Sequence, residues 1–219
     1  MEQYKHKLEH RLKDLFKDER SGHDLYHLQR VYNLGLHIQE KEGGDRLVIG
    51  AAAYLHDVHR LMQNESGVFV HPKESLPKVR ELLNETGFPE DKIDGVLHCV
   101  QFHEEYGFSE KGRSVADIET LILQDADNLD AIGAIGIGRT FAYGGAHGIP
   151  AWVPDIPLDS ESAYDERMKD PSVIHHFHHK LLRLSTSMNT RTGKDIAKAR
   201  QEFMEAFVER FLAEWRGEI

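Results

Sequence analysis

Fifteen of the 219 residues are histidine, the side chain that most often ligates metals and carries protons near neutrality. Four groups have the type and setting for chemistry: His27, the adjacent pair His56 and Asp57, and Asp127 within LQDADNLDA. The pair closes the run LVIGAAAYLHD, whose apolar part has no polar face and so reads as a buried helix. Charged groups in a core need a partner or a metal. Imidazole and carboxylate donors together suit Zn, Mn, Fe or Co. The four groups come from three separate helical stretches, so a bundle can direct them at one centre. A buried polar network without an ion is the plainer alternative.

The elements that carry these residues are helical almost throughout. Tyr4, Leu8, Leu12, Leu15 and Phe16 form one apolar stripe, which Ser21-Gly22 interrupts. A second helix is expected from about Asp24 to Glu42, with Leu28, Val31, Leu34, Leu36 and Ile38 apolar and Gly43-Gly44 ending it. Asp45 suits the N-cap of a third helix that runs through about His59. Residues 61–72 read as a loop. Helices follow from Pro72 to about Glu85 and from about Glu90 to His103, the latter opened by Pro89. One long helix is expected from about Val115 to Phe141. Residues 143–172 hold Gly144, Gly145 and Gly148 and four prolines, and read as a long insertion of the kind that covers binding sites. In it Trp152 and Tyr164 offer flat faces for a nucleobase. Helices resume near Val173 and end near Trp215. With no strand alternation, the expected fold is all-α: one helical bundle over 1–219, its core about 20–140, with C-terminal helices 173–216 packed on it.

Composition narrows the function. Lys plus Arg number 27 against 37 Asp plus Glu, a formal charge of −10. That balance disfavours a grip on a nucleic acid duplex or an anionic membrane. The single cysteine, Cys99, allows neither an intrachain disulfide nor a cysteine zinc cage. No apolar run approaches the ~20 residues of a membrane span. The N-terminus lacks a signal-peptide core, so the cytoplasm is the expected compartment.

The order His27, then His56-Asp57, then Asp127 resembles the HD-domain metal-dependent phosphohydrolase superfamily. The local contexts GHDLYHLQRV, AAAYLHDVHR and ADNLD carry the resemblance over about residues 20–140. It implies that His27, His56, Asp57 and Asp127 ligate a divalent transition metal: Mn foremost, with Mg, Co, Zn, Fe or Ni open. The segments HDVHR, LQDADNLDAIGAIGIGR and HHKLLRL look like a bacterial subgroup of small HD proteins. There the implied chemistry is nucleoside-triphosphate pyrophosphohydrolysis on a small phosphorylated partner. The alternatives are a cyclic-nucleotide phosphodiesterase with two metals, or a non-catalytic nucleotide- or metal-sensing protein. Monomer and homodimer both remain open.

Other residues have expected parts. Some relatives carry glutamate four residues after the doublet histidine, where this chain has Arg60; Arg60 could clamp phosphate or simply cap a helix end. Asp57 is the expected proton acceptor, with His23 or His103 as alternatives. His71 and His103 follow the order of histidines in two-metal relatives, so they could hold a second metal or touch phosphate. His98, five residues from His103, is a weaker candidate of that kind. Asp24 and Asp130 could orient a ligand histidine, whereas Asp125 should face away. His175, His176, His178 and His179 lack a matching carboxylate and read as a solvated helix start; Lys180 beside them could reach phosphate.

Overall fold

The computed structural model describes residues 1–19, 22–105, 116–158 and 170–219, and these form helices and their connections, with no strand among them. Eight helices come first: α1 Glu2–Leu15, α2 Leu25–Glu42, α3 Arg46–Leu55, α4 Val58–Ser66, α5 Leu76–Thr86, α6 Glu90–Phe102, α7 Ile118–Asp130 and α8 Gly133–His147. The C-terminal part holds α9 Val173–His176, a π turn Phe177–Leu181, the short α10 Leu182–Leu184 and the long α11 Arg191–Trp215.

Side-chain caps set several of these starts. The Asp24 carboxylate accepts from His27 N at 2.8 Å and opens α2. Asp45 accepts from Leu47 N and Val48 N and opens α3. Gly43, at φ +88°, closes α2.

Helix α3 is the central element. Ala51, Ala52, Ala53, Tyr54 and Leu55 have no solvent exposure, and α3 packs mainly on α2, α6 and α7. Its small side chains admit close neighbours: a Cβ on Gly35 of α2 would lie 3.2 Å from Ile49 Cγ2. Around this packing sit Leu28, Val31 and Ile38 of α2 and Ile122, Leu123 and Ala126 of α7. A separate aromatic group, Phe141, Phe177, Phe207 and Phe211, ties α8, the π turn and α11 together with centroids 5.9–6.3 Å apart.

Four expectations need correction. The third helix stops at Leu55, and the chain turns at His56-Asp57 before α4 begins. Residues 61–66 are therefore helical rather than loop. The expected single helix over 115–141 is two, because Ile132 is extended and Gly133 has φ +76°, which a right-handed helix does not accept. Helix α8 then continues to His147, so the connection expected from 143 begins at Gly148. Tyr164 lies outside the described residues.

Candidate metal centre

The turn at His56-Asp57 places both side chains at the inner end of α3. There they meet His27 from the first turn of α2 and Asp127 from the last turn of α7. His27 and His56 are fully buried and the Asp57 side chain is 2% exposed. His27 Nε2 lies 3.2 Å from His56 Nε2, 3.3 Å from Asp57 Oδ2 and 3.4 Å from Asp127 Oδ1. His56 Nε2 lies 3.4 Å from Asp57 Oδ2 and 3.8 Å from Asp127 Oδ1. Donors about 2.1 Å from one ion, at octahedral or tetrahedral angles, stand ~3.0–3.4 Å apart. Four of the five separations fall in that range, and the fifth, His56 Nε2 to Asp127 Oδ1 at 3.8 Å, is longer.

Hydrogen bonds outside the cluster fix the imidazole tautomers. His27 Nδ1 donates to Asp130 Oδ2 at 2.7 Å and His56 Nδ1 donates to the Ala53 carbonyl at 3.0 Å. Neither acceptor can give a proton, so each Nδ1 carries a hydrogen and each ring turns its Nε2 inward, as a lone pair when the ring is neutral. Two lone pairs and two carboxylates then converge on one buried point. That donor set fits a divalent cation.

Charge in the surroundings supports it. Asp130 is clamped by Arg30 Nε at 2.7 Å, Arg30 Nη2 at 3.0 Å and Arg139 Nη1 at 2.8 Å. Burial opposes its ionisation, but the bonds from His27 and Arg30 hold it well below the usual carboxylate range. Burial likewise opposes Asp57 and Asp127. His56 and His23 pull Asp57 well down, and His56 and His27 pull Asp127 down. For His27, burial and Arg139 disfavour the charged ring, yet the bonds to Asp130 and Asp57 outweigh them and its pKa is raised. Burial pushes both His23 and His103 down to about 4.

His23 lies just before α2 and not on it. Its Nδ1 bonds Asp57 Oδ2 at 2.7 Å, and its ring is 27% exposed. With Asp127, 19% exposed, it forms the side of the centre that solvent reaches. Asp24 does not orient a histidine ring, since it caps α2 through the His27 backbone; Asp130 does that work. Asp125 points away, as expected, but into the protein, where Asn189 and Thr190 bond it.

The remaining candidates separate by position. His103 is buried beside His56, with ring centroids 5.0 Å apart. Arg60 Nη2 is ion-paired with Glu104, and its Nε lies 3.6 Å from Asp57 Oδ1, so its positive charge stands at the edge of the centre. His98 is exposed and paired with Asp117 at 2.9 Å, in a groove also lined by Asp45, Lys92 and Glu119 that shares no residue with the centre. His71 caps the turn Pro72–Ser75 through Lys73 N. Neither joins the donor cluster. Lys180 is half-buried on the π turn.

The histidine tract is not a solvated helix start. His175 is fully buried, bonded to Ser172 Oγ and the Ile156 carbonyl, with Trp152 stacked on it. Asp170 supplies the carboxylate that the sequence reading lacked, accepting from His176 at 2.6 Å and His179 at 2.5 Å. One face of Trp152 is thus already taken by His175. Missed by the sequence reading were His59 and Glu104, buried beside His103.

The HD domain family model matches residues 24–132, a span that contains all four central donors. YpgQ of Bacillus subtilis is 34% identical over 200 residues, covering 90% of this chain and 86% of that protein. Its crystal structure in complex with ADP superposes with a TM-score of 0.67 at 31% identity, over 94% of this chain and 96% of that one. A Lactobacillus plantarum crystal structure gives a TM-score of 0.82 at 30% identity, with 99% of both chains covered. An HD-superfamily hydrolase from Bacillus thuringiensis gives 0.71 at 35% identity, over 98% of this chain and 97% of that one. The chain belongs to the HD domain family and is a metal-dependent phosphohydrolase of that family.

Proposed function

We propose that the protein hydrolyses nucleotides, and that nucleoside triphosphates are split to monophosphate and pyrophosphate. The observation that carries the reading is the convergence of His27 Nε2, His56 Nε2, Asp57 and Asp127, with both rings locked from behind. The ADP bound to YpgQ, a relative that spans most of this chain, supports a nucleotide as the ligand class. A divalent ion at these donors supplies a Lewis acid for a phosphoryl oxygen and acidifies a water.

The chain's own groups divide the remaining work. His23 donates Nδ1–H to Asp57, which leaves its Nε2 lone pair on the solvent-reached side as the proton acceptor. Asp57 orients that ring and stabilises its charged form. Arg60, at the edge of the centre, offsets negative charge growing on phosphoryl oxygens. Mn is the proposed ion, since a mixed imidazole and carboxylate set suits it.

The test is a screen of nucleoside triphosphates, diphosphates and cyclic nucleotides with Mn, Mg, Co and Zn, separating pyrophosphate from phosphate. Pyrophosphate from triphosphates supports the reading. Opening of cyclic nucleotides alone favours the second reading, a phosphodiesterase, which draws on the additional histidines beside the centre. Binding without turnover would leave a sensor.

A further inference from the structure

His23 reaches the centre from a connection, not from a helix. It lies between α1 and α2, one residue before the Asp24 cap. Residues of connections are ordinarily more mobile than the elements they join. Here the backbone is fastened at a single peptide group. The His23 N–H donates to Glu19 Oε2 at 3.0 Å, and the Gly22 carbonyl accepts from Arg139 Nε at 3.0 Å. That carbonyl and that N–H are the two ends of one planar peptide, so its plane is gripped from both sides. A carboxylate and a guanidinium bond a peptide more strongly than neutral groups do. Glu19 is 9% exposed and the Arg139 side chain 16%, so water competes little for either. Gly22 has φ +92°, a conformation that costs glycine least.

With the peptide held, two side-chain torsions remain to the His23 ring. The bond from Nδ1 to Asp57 Oδ2 at 2.7 Å sets them. Arg139 does more than grip the peptide. Its Nη1 donates to Asp130, the carboxylate that holds the His27 ring. One guanidinium therefore ties the backbone of the solvent-reached histidine to the support of a buried one. Glu19 belongs to none of the donor clusters.

We propose that Glu19 and Arg139 are positioning residues that hold the His23 ring at the centre by clamping the Gly22–His23 peptide. That His23 serves hydrolysis rests on the proposed function; the clamp itself does not.

Glu19 is the residue to test, because Arg139 also supports His27. Turnover of a nucleoside triphosphate and bound Mn are measured for Glu19→Ala and Glu19→Gln, each with His23 intact and with His23→Asn. Glu19→Ala should lower kcat about 10–100-fold, the cost of a misplaced group, with KM and bound Mn near native. Glu19→Gln keeps an oxygen that accepts the N–H and should recover most of the rate. With His23→Asn, Glu19→Ala should add no further loss. An equal loss in both backgrounds makes Glu19 a structural residue and overturns the proposal, as does an unchanged kcat. Circular dichroism checks folding; if Glu19→Ala does not fold, Glu19→Asp, one methylene shorter, takes its place. A second readout needs no turnover. In protein loaded with diamagnetic Zn and isotope-labelled on histidine, the His23 ring signal is identified by its absence from His23→Asn. It should be single and sharp in the native protein, displaced or broadened in Glu19→Ala, and native-like in Glu19→Gln. An unchanged signal in Glu19→Ala overturns the clamp whatever kcat does. A displaced signal in a protein that turns over no nucleotide refutes the proposed function and leaves the clamp standing.

Discussion

Replacing Asp130 by asparagine should weaken divalent-metal binding about 10–100-fold although all four donors remain. The carboxylate accepts four bonds, from His27 Nδ1, Arg30 Nε and Nη2, and Arg139 Nη1. An asparagine has one oxygen for them. If its NH2 faces His27, the ring must move its hydrogen to Nε2, where the metal binds. If its oxygen faces His27, the NH2 opposes Arg30. Either way His27 also loses the anion that sustains its basicity beside Arg139. Weakening of 10–100-fold corresponds to ~1.4–2.7 kcal/mol. The cost to the metal-free fold is separate. Arg30 and Arg139 retain 33% and 16% exposure. Water therefore compensates them in part, and the loss should fall short of the ~3–5 kcal/mol of a fully buried broken pair. About 2 kcal/mol, or ~4–8 °C in Tm for a chain of this length, is expected. Calorimetric Mn titration of chelator-treated protein reads the first effect, and differential scanning calorimetry without metal reads the second. A lowered Tm with unchanged Mn affinity would refute the reasoning, because Asp130 would then be a structural ion pair with no hold on the His27 tautomer.

Asp57→Asn should abolish metal-dependent hydrolysis and lower bound metal in elemental analysis, whereas His178→Ala, outside the donor clusters, should change neither. Asp125→Ala removes the acceptor for Asn189 N, Asn189 Nδ2, Thr190 N and Thr190 Oγ1; it should cost ~2–4 kcal/mol in urea unfolding with Mn affinity intact. In chelator, stability should fall as pH drops from about 6.5 towards 4. Burial holds His103 at about 4 in the folded protein, while the unfolded ring takes its proton near ~6.5, so acid favours unfolding by up to ~3 kcal/mol from this residue. His103→Asn should flatten the pH dependence of denaturant midpoints over that window. Excess chelator at neutral pH should lower the Tm of the metal-loaded protein, and added Mn should restore it.

What the sequence made legible follows from the range of the interactions involved. The caps at Asp24, Asp45 and Gly43 act on backbone groups a few residues away, so residue type and position suffice to read them. The four central donors were legible because a charged doublet at the end of LVIGAAAYL has few inexpensive explanations. The break between α7 and α8 had a local signal in Gly133, but apolar periodicity continues across it and masked a glycine that needs positive φ. The histidine tract was misread because its carboxylate, Asp170, lies six and nine residues from the rings it binds. Asp125, Asp127 and Asp130 share one helix and one residue type, yet one staples the α11 N-terminus, one faces the centre and one holds a ring. Spacing of three residues placed Asp130 near Asp127, but only the packed partners tell these roles apart: the Thr190 cap for Asp125, and His27 with two arginines for Asp130. His59 and Glu104 are the same problem at greater range. Nothing in HDVHR or FHEEY shows that their side chains meet. The geometry that brings them together arises only where the turn after α3 packs against the end of α6.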